Sequence, residues 1–319
     1  MTKMAVNLDT YLAPDVIQEI YTDIKTGLLS SDPGINNILE RILATRGKAV
    51  RPIFMGLIAR MAGGNWESVH NAAMLIEAVH IASLLHDDVI DGSDLRRGEE
   101  TINSRYSNKI SVLAGDYMFI KTMILSHEIE DARVSTIIFN AVERMIRGEI
   151  RDSLQTGLLD EQTYISIAAD KTAALFAAAG ELGAMLSDVS EKERLWGRDL
   201  GENIGIAFQI VDDTLDYCGD PEIMGKPELS DLTAGRMTLP LIYSLRKFDE
   251  DEIEKMLSGG VSSIKKLSAL VRNNGGIEFA LKQARNYLQK ARKIAKQFDN
   301  RDGQDAFNEF IEILVERHV

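Results

Sequence analysis

Apolar residues recur along this chain at intervals of three and four almost everywhere, the spacing of one face of an α-helix. Alternating β-branched runs joined by two-residue turns are nearly absent. The pattern predicts an all-α protein. Helices are expected over Leu8–Leu29 and Ile35–Thr45, split by the Ser-Ser-Asp-Pro-Gly break at Ser30–Gly34. Pro52 suits the first turn of the next helix, which opens on Ile53. Further helices are expected over Ser68–Asp87, Ser111–Ile129 and Val134–Leu154, the last two with methionines that read as core filler. Ala169–Leu186 reads as a helix whose small residues let neighbours approach closely or leave room for a ligand. Leu200–Asp220, a start near Leu239–Leu241, Gly276–Phe298 and Asp305–Val315 complete the set.

Two of these helices end in carboxylates where the apolar stripe would otherwise continue. The stretch His80–Thr101 carries Asp87, Asp88 and Asp91, followed by Arg96 and Arg97. Residues four apart share a helix face, so Asp87 and Asp91 aim at one point, with Asp88 about 100° round the axis. Hard carboxylate oxygens in that arrangement suit divalent cations, and paired guanidinium groups suit a diphosphate. The spacing returns 125 residues later in Asp212, Asp213 and Asp216, with Gln209 one turn ahead. One such cluster reads as a solvated acidic face; two, each behind an apolar turn, point to opposed metal-binding walls of a helical bundle.

Other charges need this context. Lys48 and Arg51, alone, read as solvated charges at a helix start; at an N-terminus whose N–H groups favour anions, they read as diphosphate ligands. A lone His80 is ordinarily a packed core side chain, but it shares a stripe with Asp87 and Asp91 and so becomes a donor candidate in their cavity. Lys171 and Thr172 head the Ala-rich half of their helix, as a phosphate contact or a local irregularity. Lys226, Asp231 and Arg236 lie in a loop before Leu239.

The net charge of −13 over 319 residues argues against nucleic acid but not against phosphorylated ligands, because bound cations reverse the local sign. The single cysteine, Cys218, excludes an intrachain disulfide and a cysteine zinc site. Neither a secretory signal nor an uninterrupted apolar run of about 18 residues is expected. With no linker composition in view, the chain reads as one domain over residues 1–319.

With RGKAVRP, HDDVIDGSDLRRG, DKTAALF, AFQIVDDTLDY and GKPELSDLTAGRMTLPLI in this order, the chain resembles the trans-isoprenyl diphosphate synthases, most of all the medium- to long-chain polyprenyl diphosphate synthases. The resemblance spans residues 35 to 245. It implies a single all-α bundle around a deep central cavity, a homodimer, a cytoplasmic location with transient membrane contact, and Mg2+-dependent head-to-tail condensation of isopentenyl diphosphate with an allylic diphosphate, farnesyl or geranyl. It implies Mg2+ on Asp87, Asp88, Asp91, Asp212, Asp213 and Asp216, with Lys171 beside them in catalysis. It places isopentenyl diphosphate on Lys48, Arg51, His80 and Arg97, and the allylic diphosphate on Arg96, Lys171, Thr172, Gln209 and Lys226. Two departures stand out: Ala49 where a third base is common, and Arg236 for a lysine.

Ala82 and Ser83, just upstream of Asp87, stand where short-chain members tend to carry a bulky aromatic. An open tunnel along Ser68–Asp87, floored by Met118, Phe119 or Met123, implies a product longer than C20, of about seven or eight isoprene units by resemblance. The alternatives are a short-chain farnesyl or geranylgeranyl synthase, a class I terpene cyclase, against which the second Asp cluster counts, and a non-catalytic regulatory subunit, against which all six carboxylates count.

Overall fold

A computed structural model describes residues 14–155, 157–218, 229–257 and 261–315. Its elements follow from local signals. Helix α1 (Pro14–Leu28) is followed by α2 (Pro33–Ala44), which Asp32 caps by accepting a hydrogen bond from the Gly34 amide at 2.7 Å. Helix α3 (Val50–Met61) starts from Ala49 in the left-handed region, φ 46°. Helix α4 (Trp66–Ile90) is capped by Asn65, which accepts from the Ser68 amide at 3.0 Å.

The end of α4 fixes the first aspartate cluster. Gly92, at φ +61°, lets the Ser93 amide reach back to the Asp88 carbonyl at 2.9 Å while its own amide reaches Val89. This left-handed closure needs a residue without a Cβ clash. It leaves Asp91 as the last residue of the turn, one turn beyond Asp87. Then comes a small antiparallel hairpin, β1 (Leu95–Arg96) and β2 (Glu99–Glu100), turning through Arg97 at φ 54° and Gly98 at φ 79°. Positive φ at both turn residues is the geometry that matches strand twist. The hairpin was not expected from the sequence, since Arg-Gly is not one of the usual Asn-Gly or Asp-Gly turns.

The remaining elements are α5 (Ile102–Arg105), α6 (Asn108–Ser126), α7 (Ala132–Ser153), α8 (Glu161–Ala168), a π-helical turn (Ala169–Ala173), α9 (Ala174–Met185), α10 (Glu191–Cys218), α11 (Ser230–Thr233), α12 (Leu239–Leu245), α13 (Glu250–Leu257), α14 (Val261–Asn273), α15 (Gly276–Ala295) and α16 (Arg301–Val315). The all-α expectation holds. The helix forecast at Leu8 is described from Pro14 onward, and its first residues lie outside the described ones.

The chain forms two compact units. One comprises Met1–Val142, Leu175–Gly201 and Ile294–Phe310. Its core packs Ile20, Ile24 and Leu28 of α1 and Leu39 and Leu43 of α2 with Ala78, Ala82 and Leu85 of α4 and Met118 of α6. A second aromatic nucleus joins Phe54 to Phe176, Phe307 and Phe310, with ring centroids 5.8, 6.4 and 6.1 Å away. Helix α4 is long and apolar enough to cross a membrane by length and composition, yet it is packed as a core helix, with Glu77 and Asp88 buried on it.

The other unit comprises Glu143–Ala174, Glu202–Lys293 and Ile311–Val319. Tyr217, Leu232, Leu241, Leu245, Ile253, Leu267 and Val271 form its apolar centre. The Tyr217 hydroxyl meets Thr238 Oγ1 at 2.7 Å, so the largest side chain of that centre is also satisfied as a polar group.

Candidate active site

In the first unit, α4 presents Glu77, His80, Ile81, Leu84, Leu85 and Asp88 to a cavity of about 260 Å³. Arg96 and Arg97 reach it from the hairpin; Tyr21 and Arg41 reach it from α1 and α2. Expected diphosphate ligands His80, Arg96 and Arg97 are thus brought together. Arg51 stands near: its charge acts on both Glu77 and His80. Its guanidinium lies 4.8 Å from the centre of the Phe176 ring, and its buried Nε has no protein acceptor. Lys48 is exposed on the turn leading into α3.

The electrostatics follow from burial. Desolvation lowers the Arg51 pKa to about 10, with Glu77 and Asp87 opposing it, so Arg51 stays cationic at neutral pH. Burial, reinforced by Arg51, Arg97 and Arg96, holds His80 well below the ordinary imidazole range. His80 is therefore a neutral donor or acceptor rather than another cation. Burial raises Glu77, and Arg51 opposes the rise.

The aspartates of this cluster differ in role. Asp88 is 4% exposed and accepts from Arg96, at 2.8 Å from Nε and 2.7 Å from the terminal nitrogen. Arg96, expected on a diphosphate, is here paired with a carboxylate of the same motif. Asp87 is half-buried and Asp91 exposed. They lie at the C-terminal end of α4, where the helix dipole favours a cation. The donor set is wholly carboxylate, which fits Mg2+ or Ca2+.

The second cluster lies in the second unit, on α10. Asp213 is buried, with both oxygens engaged: Gln209 Nε2 donates to Oδ1 and the Tyr164 hydroxyl donates to Oδ2, each at 2.6 Å. Burial, with Asp231 adding to it, pushes Asp213 up to about 8. Such a carboxyl ionises readily once a cation is beside it. Asp216, also buried, accepts from the Asp231 amide at 3.0 Å, and Asp212 is half-buried. Thr172 Oγ1 donates to Gln209 Oε1, so the expected residues Thr172, Gln209 and Asp213 form one hydrogen-bonded chain.

Lys171 occupies the π-helical turn. Its ammonium is 2.7 Å from Glu149 and 2.9 Å from Asp152 of α7. Burial works against its charge, but those two carboxylates win and raise its pKa. Of the two sequence readings of this residue, the local irregularity is present as the π-helical turn, and the ammonium is paired with carboxylates. Lys226 lies outside the described residues.

Sequence reasoning missed Tyr21, Arg41, Glu77, Tyr164, Glu149 and Asp152. Each is a polar side chain inside an otherwise ordinary helical pattern, and only tertiary contacts reveal its partner. It also missed Glu19, Asp23 and His70, whose ligand atoms converge within 4.8 Å on α1 and the start of α4. The 2.7 Å pair between His70 Nε2 and Asp23 accounts for that grouping.

The two small residues ahead of Asp87 part company. Ala82 is fully buried against α6, where a Cβ on Gly115 would come within 3.2 Å of the Ala82 carbonyl. Ser83 is half-buried on the stripe of Asp87, its hydroxyl donating to the His80 carbonyl at 2.8 Å. Met118 sits in the core, whereas Phe119 and Met123 are half-buried.

Residues 32–273 match the family model described as polyprenyl synthetase. The chain is 31% identical over 295 residues to octaprenyl diphosphate synthase of Haemophilus influenzae, covering 90% of each chain. It is 34% identical to heptaprenyl diphosphate synthase component 2 of Geobacillus stearothermophilus, covering 87% of this chain and 88% of that one. A crystal structure of polyprenyl synthase from Caulobacter crescentus, complexed with calcium and isoprenyl diphosphate, superposes with a TM-score of 0.89 at 30% identity, covering 98% of this chain and 97% of that one. With the family model covering most of its length and relatives of this identity matched nearly end to end, the chain belongs to the polyprenyl synthetase family.

Proposed function

We propose that this protein is a trans-polyprenyl diphosphate synthase that condenses isopentenyl diphosphate with an allylic diphosphate, farnesyl or geranyl, to a product longer than C20. The observation that carries the reading is the cavity in which α4 and the hairpin gather His80, Arg96 and Arg97 beside Asp88, with Arg51 adjacent. Octaprenyl, heptaprenyl and decaprenyl synthases among the relatives support the long product.

The roles divide by chemistry. Lys48, Arg51, His80 and Arg97 grip the diphosphate of isopentenyl diphosphate. Arg96, Lys171, Thr172, Gln209 and Lys226 take the allylic diphosphate. Asp87, Asp88, Asp91, Asp212, Asp213 and Asp216 hold Mg2+ or a like cation, Asp88 and Asp213 from positions already braced by protein donors. The ion, when bound, supplies Lewis-acid neutralisation of the leaving diphosphate. Lys171 exchanges Glu149 and Asp152 for phosphate oxygens as the substrate arrives. The allylic carbon–oxygen bond ionises, the double bond of isopentenyl diphosphate attacks the cation to form the new carbon–carbon bond, and a proton passes to the departing diphosphate. Apolar side chains such as Ile81, Leu84 and Leu85 keep water from the cation.

A second copy of the chain completes the molecule in this reading, seated on α6, whose Val112, Leu113, Ile120 and Ile124 are exposed. The Geobacillus relative is named as component 2 of its enzyme, so the test uses this chain alone. Purified protein with Mg2+, labelled isopentenyl diphosphate and farnesyl diphosphate should yield elongated diphosphates. Cyclised hydrocarbon, or no product until a partner protein is added, would overturn the reading.

A further inference from the structure

Tyr21 has no place among the motif residues, yet it lines the first-unit cavity. It comes from α1, is 4% exposed, and has a fully used hydroxyl. That hydroxyl accepts from the Gly47 amide at 2.8 Å and donates to Glu77 Oε1 at 2.9 Å. Glu77 is itself 2% exposed, and its second oxygen, Oε2, is buried without a protein donor.

The contact is made at a consequential point of the backbone. Gly47 begins the turn that carries Lys48, passes through the left-handed Ala49, and enters α3 just before Arg51. On its open side Gly47 is pressed by Arg97: an added Cβ would lie 3.1 Å from both terminal nitrogens of that guanidinium and 3.1 Å from the Tyr21 hydroxyl. Tyr21 thus holds a turn that carries Lys48, leads into α3 with Arg51, and lies against Arg97. The carboxylate of Glu77 anchors Tyr21 on α4, one turn before His80, and attracts Arg51.

We propose that Tyr21 is a positioning residue for the isopentenyl diphosphate half of the site, fixing the Gly47–Lys48 turn to the buried carboxylate of Glu77 so that Lys48, Arg51, His80 and Arg97 converge on one diphosphate. This rests on the synthase reading above. Removal of the hydroxyl leaves the Gly47 amide and Glu77 Oε1 without their shared partner and releases the turn, while Asp212, Gln209 and Lys171 of the other unit keep their contacts. The loss therefore falls on one substrate only.

The test is Tyr21→Phe in the full-length protein. The Kd of isopentenyl diphosphate by calorimetry and its KM should both rise about fivefold, the effect of roughly one lost hydrogen bond. The KM of farnesyl diphosphate and kcat should stay within about twofold, as expected when uniform binding of a single substrate is removed. A purely structural role would lower thermal stability and leave the ratio of the two KM values unchanged, and that result overturns the proposal. Equal rises for both substrates overturn it too. If Tyr21→Phe does not fold, Glu77→Met removes the acceptor that anchors the Tyr21 hydroxyl on α4 and frees the same turn; it should raise the same Kd, and an unchanged value overturns the proposal. A parent protein that binds no isopentenyl diphosphate defeats the synthase reading and this proposal together; normal elongation with an unchanged KM ratio defeats the proposal alone.

Discussion

Asp170 shows how a single residue can tie stability to pH in this protein. It is 7% exposed and accepts from Arg144 at 3.1 Å, from Arg147 at 3.2 and 3.1 Å, and from Arg151 at 3.4 Å. Burial alone would raise its pKa, but the bonds from Arg147 and Arg144 win and lower it. A carboxylate depressed in the folded state contributes stability that is complete above its unfolded pKa of about 3.9 and lost as pH falls through the folded value. Asp170→Asn should therefore destabilise the protein by about 1–3 kcal/mol at pH 7, a value moderated because the arginines are partly solvated. That gap should close below about pH 4. Urea unfolding across pH measures it, and parallel stability profiles for variant and parent would refute the assignment.

We propose Ser83 as the residue at which product length is decided. It shares the Asp87 stripe and is half-buried, whereas Ala82 is locked in core packing. Ser83→Phe should shorten the main product by at least one isoprene unit without loss of the first condensation, read by chromatography of the dephosphorylated products. Ala82→Phe, by contrast, should also cost about 1–3 kcal/mol of stability through overpacking. Unchanged product length in Ser83→Phe would remove the gatekeeper role.

At the scale of elements, the sequence offered a local irregularity at Lys171 and Thr172 but not its kind, a π-helical turn. Its widened hydrogen bonding leaves no side-chain period, so Ala169–Ala173 looks like the start of a plain helix. Its position is set by α7, on which a Cβ at Gly148 would lie 2.5 Å from the Lys171 nitrogen and 2.9 Å from its Cα. Backbone stands there, so neither partner can yield cheaply. Gly148→Ala should cost about 1–3 kcal/mol and, by displacing Lys171, raise the allylic KM more than that of isopentenyl diphosphate. Equal KM values for variant and parent would show that Lys171 tolerates the shift.

Other elements were legible for clear reasons. The aspartate clusters announce themselves because four-residue spacing on a helix is a property of sequence. The Arg96–Arg97 hairpin was hidden because Arg97 takes a positive φ that its residue type does not advertise. Tyr21 and Glu77 were hidden because a buried polar pair 56 positions apart leaves no local trace.

For the whole molecule, a net charge of −13 coexists with a cavity where Arg41, Arg96 and Arg97 stand among the carboxyl groups of Glu77, Asp88, Glu99 and Glu100. The two are compatible because ionic screening confines charge effects to about 8 Å at physiological salt. The family was legible because five motifs stand in a fixed order. The borders of the two compact units, such as Val142 and Gly201, fall inside helices whose pattern continues without a break.

The proposed division of labour gives ionisation of the allylic substrate to the carboxylate clusters and binding of isopentenyl diphosphate to the Arg51, His80 and Arg97 site. Parallel measurement of elongation rate and isopentenyl diphosphate affinity in Asp87→Asn and Asp212→Asn tests it most directly. Each variant is predicted to lose at least about a hundredfold in rate, the scale of one lost electrostatic contact to a developing charge, with Kd within about twofold of the parent. Retained elongation in either variant, or a Kd that falls away together with the rate, would contradict that division of labour.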